Sequence, residues 1–329
     1  MIKFILKRLI WVIPVMLGVL VIVFTISYLA PGDPVISILG TSYTPESYAK
    51  LQAEMGLDKP FLEQLGRYIW NLVVGLDLGK SFYTKLSISQ EIVARFPVTF
   101  QIGMWSVLFM LVFGLPLGIY SAIKQYGVLD ITMTSAAMFL AAVPNYVLAL
   151  LGIIFFGVRL KWLPVAGLES VKSWILPVCA NSLASVAYVM RMTRTTMLEV
   201  IRQDYIRTAR AKGQKEGVVI MKHALINCLI PIVTIFGGMI SRVLAGSIIV
   251  ETIFSIPGMG MYMVSAINSR DYPVINTSVL LISLVVCVMN LVVDVAYAYI
   301  DPRIKAQYES RNKKTKSIRK MLPENAEVT

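Results

Sequence analysis

Six apolar runs, at 9–30, 98–123, 132–158, 174–195, 225–250 and 277–300, set the terms for any fold of this sequence. About 20 apolar residues in a helix cross a bilayer's hydrocarbon core. A single chain of 329 residues that is 57% hydrophobic and only 15% charged could not hide that much apolar surface from water. The mean hydropathy of +0.70 agrees. None of the runs alternates with period two, as the strands of a membrane barrel do. The predicted class is an all-α membrane protein with six transmembrane helices. Pro116, Pro144, Pro177 and Pro231 fall in or at the ends of these runs. Within a helix bundle prolines are tolerated, because neighbouring groups satisfy the freed carbonyls.

The first run follows Lys3, Lys7 and Arg8. It is longer than the apolar core of a signal peptide, so 1–30 reads as an uncleaved anchor and first span. Residues 31–97 are of mixed polarity. Thr44-Pro45-Glu46 has the form of an N-cap followed by proline in the first helical position, and Gly56 ends that helix. Phe61, Leu65, Tyr68, Ile69 and Leu72 mark an amphipathic helix that stops at Gly75. These two helices cap the bundle or lie at the membrane surface. Gly75 to Ser81 imitates a phosphate-binding loop, but only three residues separate its glycines, where that loop needs four. No nucleotide site is expected there.

Between the fourth and fifth runs lies the most informative stretch, 191–234. It carries eight cations: Arg191, Arg194, Arg202, Arg207, Arg210, Lys212, Lys215 and Lys222. Leu198, Ile201, Tyr205, Thr208 and Ala209 recur at helical spacing until Gly213 stops the pattern. The expectation is a short helix, a glycine turn and a second helix returning to the bilayer, a rigid basic elbow over about 200–222. An elbow of this kind presents a surface to a partner.

The charges also give the orientation. With both termini on the elbow's side, that side holds twenty Lys/Arg and the short loops opposite hold four. The positive-inside rule then places both termini and the elbow in the cytoplasm, and 31–97 becomes an extracytoplasmic segment. The rule also explains the net charge of +12 without nucleic acid. The basic tail 306–329 reads as a solvated arm at the lipid surface.

Polar residues within the spans form stripes. Ser283, Cys287, Asn290, Asp294 and Tyr297 share a face of the last run, and Thr234, Gly238, Ser241 and Ala245 share one of the fifth. On the fourth, Asn181, Ser185, Tyr188 and Thr195 align. Such faces line a pathway or let helices pack closely. Asp294 is either a pathway group or the structural partner of a nearby arginine. Arg242 and Glu251 are gate or docking groups, or interfacial side chains. Cys179, Cys228 and Cys287 all lie in apolar runs and read as packed thiols with no metal-ligand spacing. The single histidine, His223, lies beside the elbow with no nucleophile spaced to pair with it. No catalytic constellation assembles, so the chain is expected not to be an enzyme. Inverted repeats and an ion relay are also missing, against a stand-alone secondary transporter.

Across about 1–305 the sequence resembles the inner-membrane permease subunits of binding-protein-dependent ABC importers, in the dipeptide/oligopeptide/nickel branch. The matching segments are FILKRL, APGDPV, MGLDKP, LDLGKS, RMTRTTMLEV, QDYIRTARAKG, HALINCLIP, ETIFSIPGMG, RDYPV and NLVVDVAYAYIDPRI. The general loop signature of such importers, Glu-Ala-Ala-x-x-x-Gly, survives here only as Ala209 and Gly213.

The resemblance implies a type I ABC importer permease fold, with a core over 98–305. It implies that Asp204, Tyr205, Arg207, Thr208, Ala209, Arg210, Lys212 and Gly213 form a coupling helix docked on a cytoplasmic ATPase. The implied partners are a second homologous permease, one or two ATPase subunits holding ATP and magnesium, and an extracytoplasmic substrate-binding protein. The chain itself would hold no cofactor. Thr234, Ser241, Arg242, Asn290 and Asp294 are candidates for the translocation pathway. Glu251, Pro257, Gly258 and Asp271, in the loop 251–272, are candidates for contact with the binding protein. Dipeptides or oligopeptides are the expected cargo, with nickel, a metal chelate, glutathione or a short oligosaccharide as alternatives.

Overall fold

Helix follows helix through the computed structural model, which describes residues 2–40 and 42–300. Among the described residues the only extended pairing is one isolated antiparallel bridge, Lys80 to Ser87. α1 (Ile2–Leu29) leads into α2 (Pro34–Leu39), α3 (Pro45–Glu54) and α4 (Phe61–Val73). α5 (Ile88–Ile123), α6 (Val128–Ala142) and α7 (Asn145–Gly152) follow, and a π-helical stretch, Ile153–Arg159, extends α7. α8 (Ile175–Ile201) and α9 (Asp204–Ala211) come next. The short α10 (Glu216–Val218) enters a π-helical turn, Val219–Ala224, that feeds α11 (Leu225–Ile253). α12 (Met259–Ser269) and α13 (Tyr272–Ile300) complete the order.

Among the described residues, four stretches are each long and apolar enough to cross a membrane: Arg8–Leu29, Ile88–Ile123, Val171–Ile201 and Tyr272–Ala296. α11 runs for 29 residues. Three sequence-based expectations change. The run 132–158 is not one straight helix, because α6 and α7 meet at a bend of 104°. Val143 is extended there, at φ −83° and ψ 125°, as a residue before proline prefers. The second span starts at Ile88 rather than 98, with Pro97 inside the helix. Ile88 and Ile92 are buried against Met259 and Val274, which holds the extra turns. The loop expected over 251–272 contains a helix, α12.

Local chemistry explains the shorter elements. The Asp33 carboxylate accepts from the Val35 amide at 2.7 Å and caps α2. Thr44 and Ser47 form a reciprocal capping box at the start of α3, with Pro45 next.

The centre of the fold is the contact between α5 and α8. Gly114 and Gly118, one turn apart, allow it. A Cβ on Gly118 would stand 2.6 Å from the Met190 carbonyl oxygen, and one on Gly114 2.8 Å from Val189 Cγ1. Small residues at this spacing let helix backbones approach closely. Asn181 then ties three helices, donating to Ser106 Oγ at 3.1 Å and to the Val243 carbonyl at 3.2 Å. The first half of the polar stripe of α8 therefore packs inward: Asn181 and Ser185 are both buried, while Thr195 is exposed.

Candidate functional site: the elbow and its connections

α8 ends at Ile201, and Gln203 is extended at ψ 150° before α9 begins. The first helix of the elbow is thus a separate eight-residue unit, followed by the Gly213 turn and α10. Asp204 occupies its first turn, where a negative charge suits the helix dipole. Ile206 and Ala209, three residues apart, are buried in a cluster with Ala122, Met197, Val219, Ile220, Ala224 and Cys228. Packing rather than charge therefore seats α9 on the ends of α5, α8 and α11.

The other face is open. Asp204, Tyr205, Arg207 and Thr208 are exposed, as are Arg210 and Lys212. Arg207 reaches Asp204 at 3.8 Å, and Thr208 Oγ1 donates to the Asp204 carbonyl at 2.9 Å. Arg210 forks onto Glu216: Nη2 donates to Oε1 at 2.6 Å and Nε to Oε2 at 3.1 Å. The guanidinium holds the Glu216 carboxyl below its ordinary range. Between the two, Gly213 takes φ +75°, a left-handed backbone that residues with a Cβ resist. His223 Nε2 lies 2.7 Å from Gln214 Oε1, so the histidine braces the turn. The result is a short helix with a buried keel, a clamped glycine turn and a row of exposed polar side chains.

The expected pathway residues divide. Ser241 Oγ donates to Asn290 Oδ1 at 2.9 Å, joining α11 to α13. Arg242 is exposed on α11. The side chain of Thr234 lies outside the described residues. Asp294 pairs with a cation of the first helix: Arg8 Nη1 reaches its Oδ2 at 2.7 Å. The pair ties α1 to α13.

Three of the four residues expected to contact a binding protein are buried within the chain. Glu251 is fully buried at the end of α11 and accepts from the Gly260 amide at 2.6 Å. Gly258 packs beneath it, where a Cβ would come within 2.4 Å of Glu251 Oε2. Asp271 is buried too. It accepts from Ser81 Oγ at 2.5 Å and from the Phe82 amide at 3.0 Å. These carboxylates anchor α12 and the 81–83 turn to the bundle. Pro257 is exposed.

Two partners escaped the sequence. Asp130, at the start of α6, takes both arms of Arg194. Its only signal was an acid at the head of an apolar run. Glu216, the mate of Arg210, had no signal beyond its six-residue separation. Among the described residues no group of three or more His, Cys, Asp or Glu is arranged to hold a metal.

Residues 114–306 match the family described as "Binding-protein-dependent transport system inner membrane component". Residues 1–103 match "Binding-prot-dependent transport system membrane comp, N-term". The dipeptide transport system permease protein DppB of Alkalihalophilus pseudofirmus is 39% identical over 333 residues, covering 93% of this chain and all of that one. DppB of Escherichia coli K12 is 36% identical over 337 residues, covering 93% and 99%. A putative peptide transport system permease protein of Brucella abortus is 39% identical over 309 residues, covering 92% and 98%. In fold, the chain resembles a solved inward-facing form of the MetNI methionine ABC transporter, with a TM-score of 0.57 and 19% identity. The match covers 65% of this chain and 97% of that one. On the two family matches, which between them cover most of the sequence, this multi-pass membrane protein belongs to the inner-membrane components of binding-protein-dependent transport systems.

Proposed function

We propose that the chain is the permease subunit of an ABC importer for dipeptides and short oligopeptides, forming half of its translocation pathway. The observation that carries this reading is α9, a helix seated by Ile206 and Ala209 with its polar face open. The similarity to DppB supports peptide as cargo. Six spans with both termini and the elbow in the cytoplasm fit the distribution of Lys and Arg. A second permease completes the pathway, and an extracytoplasmic binding protein delivers substrate. Partner ATPases supply ATP hydrolysis, and the chain itself catalyses nothing.

In this reading the ATPase grips α9. Movement of α9 passes through the buried cluster to α5, α8 and α11 together, since all three contribute to it. Ser241 and Asn290, bonded across α11 and α13, lie where that motion alters the helix contacts. The test is uptake of labelled dipeptide and, separately, of nickel in a strain lacking this gene. Restoring the gene should restore dipeptide uptake, and the Gly213→Pro variant should not. Dipeptide uptake that is unchanged without the chain, or full uptake by the variant, would overturn the reading. Rescue of nickel uptake alone would overturn the cargo.

A further inference from the structure

α4 has two apolar faces, and the first packs on α1. Phe61 meets Tyr28 at a ring separation of 5.0 Å and Phe24 at 5.8 Å, and Tyr68 stacks on Phe24 at 5.7 Å. Leu65 joins Leu20 and Leu280 in a buried cluster, with Ile69 and Leu72 against it. Tyr68 also reaches Thr277 on α13, with the oxygens 3.3 Å apart.

These contacts fix the depth of α4. The α1 span runs from Arg8 to Leu29. Phe24 lies five residues inside its Leu29 end and Leu20 nine residues inside. At 1.5 Å per residue that is about 8 and 13 Å, against a leaflet about 15 Å thick. Thr277 and Leu280 likewise lie inside the α13 span, which begins at Tyr272. So α4 packs against two helices that are each long and apolar enough to cross a membrane, several residues inside their ends.

Its second face points away from both. Leu62 is 77% exposed, Trp70 66% and Val73 61%, with Val74 and Leu76 exposed just beyond. Positions 62, 70 and 73 lie on one side of a helix. On α1, Ile22, Ile26 and Leu29 are exposed as well, on the side away from Phe24 and Tyr28. The polar residues Glu63 and Arg67 pair with each other at 2.9 Å along the edge of the α4 stripe, next to Trp70.

We infer that α4 is embedded in the lipid leaflet on the side that carries α2 to α4, with Leu62, Trp70 and Val73 against acyl chains. The segment after the first span is therefore a membrane-anchored element. The bend after Val73 brings the chain back out, since Ser81 is bonded to Asp271 just before α13. This inference rests on helix depth and exposure and is independent of the proposed cargo.

Nitroxide labels test it. Single Leu62→Cys, Trp70→Cys and Val73→Cys variants are made with Cys179, Cys228 and Cys287 replaced by Ala. They are purified in the assembled transporter and reconstituted in phosphatidylcholine bilayers. Ile26→Cys serves as the lipid reference and Asp58→Cys as the water reference. The ratio of collisions with oxygen to collisions with a water-soluble nickel chelate should match that of Ile26→Cys and exceed that of Asp58→Cys several-fold at all three sites. A ratio like that of Asp58→Cys means water and overturns the inference. Few collisions with either reagent mean that a protein surface covers α4, which overturns it equally.

Discussion

Arg194 grips Asp130 with both arms of its guanidinium: Nε to Oδ1 at 2.7 Å and Nη2 to Oδ2 at 2.8 Å. Ser121 of α5, Thr134 and the Tyr126 amide also donate to the same carboxylate. One buried acid therefore binds α5, α6 and α8 together, seven residues before α8 ends. Removing one partner leaves a buried charge uncompensated, which costs about 3–5 kcal/mol. Asp130→Ala and Arg194→Ala should each lower the thermal stability of the purified protein in detergent. The double variant should lose less than the sum. Additive losses would mean that the two side chains do not support each other.

Ile206 is fully buried beneath the elbow. Its truncation to Ala should cost about 2–5 kcal/mol, the usual range for emptying a core site. The effect should concentrate on α9, seen as faster amide hydrogen exchange over 204–211. Thr208→Ala, on the open face, should leave exchange there nearly unchanged. Equal protection in both variants would show that packing does not seat the helix.

Gly213 separates strain from charge in the turn. Alanine at φ +75° costs about 1–2 kcal/mol, so Gly213→Ala should weaken coupling only in part. Proline, locked near −65°, cannot take that conformation, and Gly213→Pro should abolish substrate-stimulated ATPase activity of the assembled transporter. Membrane insertion should stay normal in both, checked by yield after purification.

The Arg210–Glu216 clamp gives a pH signature. Glu216 titrates below its ordinary value of 4.5 in the folded chain because Arg210 holds it ionised. A depressed carboxyl contributes stability above its unfolded pKa and loses it as pH falls through the folded one. The melting-temperature gap between the wild type and Glu216→Gln should therefore be constant from pH 8 to about 5.5. It should close below the ordinary carboxylate range. Both side chains are more than a third exposed, so the gap should be small, in line with the ~0–1 kcal/mol of surface pairs. A gap that widens on acidification contradicts the assignment.

Helices with strong periodicity or clear caps were legible in the sequence. Thr44-Pro45 and the spacing from Phe61 to Leu72 mark α3 and α4 within two residues of their ends. The break at Arg202 and Gln203 was not. Leu198 and Ile201 face the same buried cluster as Ile206 and Ala209, so the apolar spacing runs on across the gap. α12 was hidden by Pro257, Gly258 and Gly260, which read as loop. Two of those glycines are instead needed for close contact with Glu251. Partnerships across the chain, such as Arg8 with Asp294 or Ser81 with Asp271, leave no local trace.

The wide turn at Val219–Ala224 has a consequence for everything after it. A π-helical turn holds about one residue more than an α turn, and each residue of an α-helix advances about 100° around its axis. If the turn tightened by that one residue, α11 would spin by roughly a quarter of a revolution. Ser241 would swing away from Asn290, and a different side of the shaft would meet α13. The joint between elbow and shaft thus stores a rotation, not only a tilt.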